Sequence, residues 1–297
     1  MKTLKIRNTI LLIVTAAIWG AAFVAQSVGM EYIGPFTFNF VRNIIGGIVL
    51  IPCIGIIKKI KKSKSENNNR DNKVLMLGGI CCGIALFLAS SCQQIGIQYT
   101  GVGKAGFITA LYIVIVPVMG IFLKKKCSPL MWGSVMVALM GFYLLSVKDG
   151  FSLEKSDVLL VVSAVLFSVH ILIIDYFSPK VDGVKMACIQ FFVCGILSAL
   201  AMLFTENFVI VDVIAAWKPV LYAGVLSCGV AYTLQIVAQK GVNPTVASLL
   251  LSLESVFAAL AGWVVLQQTM SGRELLGCLL IFVGIVGAQI PGERKRQ

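Results

Sequence analysis

The amino-acid sequence predicts an all-α integral membrane protein with ten transmembrane helices arranged as two inverted five-helix repeats. Three observations carry this: the hydropathy of the chain, the placement of its charges and an internal duplication. Hydrophobic residues are 58% of the 297 and charged residues only 13%, whereas soluble domains run at about 45–50% and about 25%. Mean hydropathy is +0.93. A water-soluble fold of this length has no use for so much apolar surface.

Apolar stretches of about 20 residues can cross a hydrocarbon core of about 30 Å as helices. Ten are read here, at 10–28, 35–57, 74–97, 103–123, 129–147, 157–177, 184–204, 217–238, 244–266 and 272–290. Short loops separate them, often opened by Gly or Pro, as at Gly34-Pro35, Ser128-Pro129 and Asn243-Pro244. The single long polar connector is KKIKKSKSENNNRDNK, residues 58–73. Barrel strands would be shorter and would alternate, and these runs do neither.

The formal net charge is +12, which in a soluble chain would suggest nucleic acid. Its placement excludes that class. With the N-terminus in the cytoplasm, the inner segments hold Lys2, Lys5, Arg7, seven basic residues between 58 and 73, Lys124 to Lys126, Lys180, Lys185, Lys240 and Arg294 to Arg296. These are 19 of the 25 basic residues. Outer loops keep few, such as Lys148, Lys155 and Arg273. That asymmetry predicts both termini in the cytoplasm; a nucleic-acid surface would be one basic face. The nine cysteines lie in or at the edges of apolar runs and show no metal-ligand spacing, so they read as small buried hydrophobes. No metal or cofactor is expected.

The chain is written twice. ILLIVTAAIWG (10–20) matches VLLVVSAVLFS (158–168) at an offset of 148, which also sets Arg42 over Gln190 and Gly47 over Gly195. The offset then shifts to 142, setting Gln93 over Gln235, Ala105 over Ala247 and Gly120 over Gly262; Gly133 lies over Gly277. The first repeat is 1–148 and the second 149–297. Because span 1 recurs, it reads as a true span rather than a removable leader. Five spans per copy is odd, so the second copy enters from the opposite side, as in many secondary transporters.

Ionisable groups inside a membrane are functional candidates by default. Glu254 stands ten residues past Pro244, about 15 Å along a helix and so near the midplane. A carboxylate there must be neutral, paired or wet. It can bind a proton or a cationic group, or it can position span 9 through polar contacts. His170 and Asp175 share span 6. Five residues turn a helix by about 500°, which leaves the two some 140° apart, so a direct pair is not expected. His170 can titrate near neutral pH or serve as a hydrogen-bonded packing residue, and Asp175 sits at the inner end of its span. Arg42 lies seven residues into span 2, where it can meet a substrate carboxylate, snorkel or form a structural pair. Lys104 caps the outer start of span 4. Trp19 sits away from the interfacial belts where Trp concentrates. Tyr112 occupies the repeat position of Glu254, Gln93 and Gln235 are repeat partners, and Tyr232 is near Gln235.

Three stretches carry a family resemblance. TAAIWGAAFVAQSVG in span 1, GKAGFITALYIVIVPVMG in span 4, and ASLLLSLESVFAALAGWVVL followed by ELLGCLLIFVGIVGAQ in spans 9 and 10 resemble the drug/metabolite transporter superfamily, in its EamA-domain branch. The likeness covers both halves. It implies an exporter-like ten-helix carrier of amino acids, metabolites or drugs. Its cavity would be lined by helices 1, 3, 4, 6, 8 and 9, with helices 5 and 10 peripheral. Helix 2 would lie outside that cavity, which points Arg42, with Lys104, to structural or gating roles. Small four-helix relatives exchange protons on a first-helix Glu; here span 1 has no acid, only Gln26 and Ser27 near its outer end.

The expected function is alternating-access transport of a small molecule in the cell membrane, through a cavity near Trp19, Tyr112, His170 and Glu254. Few charges and several aromatics and amides suit neutral or zwitterionic solutes, and proton coupling would fall to Glu254, His170 or Asp175. Ten helices can enclose a cavity in a monomer, and a dimer is compatible. The alternative is a channel-like or non-transporting membrane protein. No HExxH, GxSxG or GxxxxGKS stretch exists to support catalysis or ATP use.

Overall fold

A computed structural model describes residues 2–61, 69–100, 102–125, 127–146, 155–266 and 271–289. Much of the basic connector 58–73 falls outside the described residues, as do Lys126, Lys148, the boundary between the halves and the basic tail Arg294 to Arg296.

The first half of the chain forms α1 (Lys2–Gly29), α2 (Pro35–Lys61), α3 (Asn69–Tyr99), α4 (Val102–Ala110), α5 (Tyr112–Phe122) and α6 (Pro129–Ser146). In the second half come α7 (Lys155–Phe177), α8 (Gly183–Thr205), α9 (Ile210–Ala215), α10 (Trp217–Leu221), a π-helical stretch (Tyr222–Tyr232) and α11 (Thr233–Gln239). The last are α12 (Pro244–Leu251), α13 (Glu254–Leu266) and α14 (Gly272–Gln289). Among the described residues there is no strand. Lipid offers no hydrogen bonds to the backbone, so apolar runs of this length must bond internally as helices. Among the described residues, eight helical segments are long and apolar enough to cross a membrane, and Pro129–Leu145 is a shorter apolar helix. The helices carry large bare side chains on their outer faces, among them Ile48 and Ile51 on α2, Leu203 and Phe204 on α8 and Leu275 and Leu279 on α14. In water such a surface would drive aggregation; in a bilayer it is the lipid face. The chain is a multi-pass membrane protein.

Helix starts are held by side chains that satisfy free N–H groups. Asp182 accepts from Val184 N and Lys185 N at the start of α8, and Asn243 from Thr245 N at the start of α12, where Pro244 occupies the first turn. Ser271 and Glu274 bond reciprocally at the start of α14, a capping box. The start of α2 is capped from a distance. Glu206, beyond the end of α8, accepts from Phe36 N, Thr37 N and the Thr37 hydroxyl.

Small residues set the packing, because helices in lipid associate through close backbone approach. The helix α6 lies along α14, where a Cβ on Gly277 would come within 2.7 Å of Gly141 O and one on Gly141 within 2.6 Å of Gly277 O. Gly79 and Gly83 seat α3 on Ile189 and Val193 of α8. The helix α1 packs on α12, α13, the π-helical stretch and α11, while α7 packs on α3, α4 and α5; α2 packs on α8.

Two predicted spans are not continuous. Span 4 breaks at Leu111, between α4 and α5, and span 9 breaks at Ser252 and Leu253, between α12 and α13. In span 9 the Ser248 and Ser252 hydroxyls donate to Thr245 O and Leu249 O, which competes with the helical ladder. The backbone tightens there to three-residue bonds, Leu253 N to Leu250 O and Ser255 N to Ser252 O. At Leu111 the same tightening runs to Ile108 O with no side chain to account for it. Span 8 departs in the other direction, widening into the π-helical stretch.

A candidate solute cavity at two helix breaks

The two breaks face each other. The Tyr112 hydroxyl at the start of α5 donates to Glu254 Oε1 at the start of α13, across 2.9 Å. Both side chains are buried, and both line a cavity of about 40 Å³ open to water-sized molecules. That is room for a few waters at ~10–15 Å³ each. The seven side chains named from the sequence as cavity candidates all line it. They come from α1, α3, α5, α7, the π-helical stretch, α11 and α13; α6 and α14 contribute none.

Aromatic rings form one wall. Trp19 and Tyr232 have ring centroids 4.5 Å apart, and the His170 ring meets Tyr232 edge-on at 6.0 Å. Trp19 Nε1 donates to Ser227 O at 3.4 Å and the Thr15 hydroxyl to Ala231 O at 3.2 Å. Both carbonyls belong to the π-helical stretch, whose irregular ladder leaves backbone acceptors to α1; such stretches are frequent at functional sites. A Cβ on Gly20 would lie 2.6 Å from Glu254 O, so only a glycine lets α1 sit this close to the acid.

Amides and one imidazole make the polar part of the wall. His170 Nε2 lies 3.1 Å from Gln190 Oε1. Gln93 Nε2 donates to the Thr109 hydroxyl at 3.4 Å, and Gln235 Oε1 is buried with no partner.

One expectation needs correction. Helix 2 was expected outside the cavity, yet Arg42 of α2 lines it and is 4% exposed. The guanidinium reaches inward because Gln26 Oε1 accepts from Nη1 at 3.0 Å and the Phe38 ring lies 5.6 Å from Cζ. Asp175, a candidate ionisable group expected at the end of its span, does not line the cavity and pairs with Lys125 at 2.6 Å. Its place near the C-terminal end of α7 puts it beside the segment that follows α5. Lys104 makes no cavity wall and pairs with Asp157 at 2.7 Å. The paired ends thus join α4–α5 to α7 at both extremities.

A family model for the EamA-like transporter family matches residues 7–147 and again 154–288. The chain belongs to the EamA-like transporter family. That places it in the drug/metabolite transporter superfamily, as a membrane transporter. This EamA-like chain is 30% identical over 282 residues to an "Uncharacterized transporter" of Archaeoglobus fulgidus, covering 93% of this chain and 83% of that one. It is 24% identical to the "Uncharacterized transporter YoaV" of Bacillus subtilis, over 90% and 91% of the two chains. A crystal structure of another protein aligns with a TM-score of 0.77 at 20% identity, over 95% of this chain and 96% of that one. That likeness concerns the fold alone.

Several residues on or behind the wall of this EamA-like transporter were not singled out from the sequence as site candidates. Phe167 and Thr109 line the cavity, and Gln26 and Gln190 orient Arg42 and His170. A signal for two of them was available: Phe167 occupies the repeat position of Trp19, and Gln190 that of Arg42. Asp157 and Glu206 carried none, since their partners are 53 and about 170 positions away.

Proposed function

We propose that this transporter is a secondary carrier, working as an exporter of small metabolites, amino acids or drugs by alternating access. Its ten spans form two inverted repeats, 1–148 and 149–297, in the plasma membrane with both termini cytoplasmic. The packing supports this reading. Under the exchange of spans 1–5 for 6–10, the contacts of α1 with spans 8 and 9 map onto those of α7 with spans 3 and 4; α2 with α8 and α6 with α14 map onto themselves. Inverted repeats with discontinuous helices at the substrate site are a recurring transporter arrangement.

The observation that carries the proposal is the meeting of Tyr112 and Glu254 at the breaks of spans 4 and 9. Repeat-equivalent positions in oppositely inserted copies touch on the pseudo-two-fold axis, where a solute path between the halves must run. The narrow cavity describes a closed path that the halves open by rocking. Glu254, with His170 nearby, supplies the proton-binding group for coupling.

The test is solute flux in proteoliposomes, with and without a pH gradient, comparing the wild type with Glu254→Gln. Flux above empty liposomes that loses its gradient dependence in the variant is expected. Flux equal to that of empty liposomes overturns transport, and an unchanged pH response removes Glu254 from coupling.

A further inference from the structure

Arg42 is the only lysine or arginine on the cavity wall among the described residues, and no acid pairs with it. The two ion pairs among those residues are Lys104–Asp157 and Lys125–Asp175, while Glu254, on the same wall, accepts from Tyr112. A guanidinium keeps its charge in any protein environment, and a buried charge without a counter-charge is strongly disfavoured. Its hydrogen bonds are also incomplete. Nη1 is used by Gln26, whereas Nε is buried with no partner.

We infer that Arg42 binds the carboxylate of the transported solute, so that the substrate class is a small organic carboxylate with an apolar body. This rests on the transport reading above. The Nε–Nη2 edge of a guanidinium presents two parallel N–H groups that match the two oxygens of a carboxylate. Here Gln26 takes the other side of the group, at Nη1, and leaves that edge without a protein partner. Gln26 is itself held, by its own Nε2 on Ala22 O and by Gln94 Nε2 on its carbonyl, so the guanidinium has a fixed orientation. Across the cavity the Trp19 and Tyr232 rings offer an apolar seat. An amine or a neutral amide would fill that seat and leave the guanidinium without its anion.

The full-length protein, purified in detergent, is heated with hydrocinnamate, hydrocinnamamide or phenethylamine, and with chloride or phosphate at matched ionic strength. Hydrocinnamate raises the unfolding midpoint, and the amide, the amine and the inorganic anions do not. In Arg42→Lys the acid binds about tenfold more weakly, because the ammonium lacks the fork; in Arg42→Gln its effect is lost. Equal stabilisation by acid and amide, an undiminished effect in Arg42→Lys, or equal stabilisation by chloride overturns the inference. So does the absence of any shift with hydrocinnamate, phenylacetate and L-phenylalanine at every soluble concentration. Should Arg42→Gln not fold, the acid-against-amide contrast on the wild type decides. Flux in proteoliposomes separates the two readings. Export of the amide but not the acid overturns the carboxylate site and keeps transport; acid binding without flux does the reverse.

Discussion

Tyr112 and Glu254 stand 142 positions apart and share a 2.9 Å hydrogen bond, each opening the second piece of a broken helix. A hydrogen bond to a charged acceptor contributes about 1.5–3 kcal/mol and one between neutral groups about 0.5–1.5 kcal/mol. Tyr112→Phe, Glu254→Leu and the double variant therefore form a cycle that reports the charge state of the acid, since neither replacement can keep the bond. Thermal melts in detergent are expected to give a coupling of about 1 kcal/mol if the acid is neutral and about twice that if it is ionised. A coupling of zero would mean that the two side chains do not hold the breaks together.

The α6–α14 contact rests on two glycines facing each other. Gly277→Leu inserts a branched side chain against the Gly141 backbone, and overpacking of this kind costs about 1–3 kcal/mol. A lowered melting temperature is expected, with solute binding unchanged in the surviving fold because neither helix lines the cavity. Loss of binding at matched stability would contradict this.

Asp157 is fully buried, whereas its partner Lys104 is 23% exposed. The two deletions of this pair should therefore differ. Lys104→Gln leaves a buried carboxylate without its cation, which for buried pairs costs about 3–5 kcal/mol. Asp157→Asn leaves a cation that can turn toward solvent, at a smaller cost. Urea or thermal unfolding of the two variants gives the order, and a reversed order would count against the pair.

Glu206 caps α2 with three hydrogen bonds from beyond the end of α8. Glu206→Ala removes a cap, with an expected loss of about 0.5–2 kcal/mol. Hydrogen exchange should rise first at Phe36 and Thr37. Protection unchanged at those amides would show that the cap is dispensable.

The positions of the helices were legible because hydrocarbon thickness dictates the length of apolar runs, and the observed helices, several of them in pieces, follow those runs. Cavity candidates such as Trp19, Gln93 and Glu254 were legible for a related reason. Polar or aromatic groups at mid-span have few places to go, and the duplication pairs them. The breaks at Leu111 and Ser252-Leu253 were not legible, since an apolar run has the same composition whether its ladder is continuous or tightened by one bond. Nor was the widening of span 8, for the same reason. Helix 2 was set outside the cavity by the family resemblance, and Arg42 of that helix lines it. Its inward turn depends on Gln26 sixteen residues earlier, a tertiary contact that periodicity does not encode.

The ion pairs at the two extremities of α4–α5 have a mechanical consequence. A rod clamped at both ends to the same beam cannot tilt or slide along it, and whatever deformation it undergoes must gather between the clamps. Lys104–Asp157 and Lys125–Asp175 are those clamps, and between them the helical ladder is irregular at Leu111, where it tightens to Ile108 O, and at Pro117, which has no N–H to give. Bending at Leu111 is delivered to the next residue, Tyr112, and through that hydroxyl to Glu254.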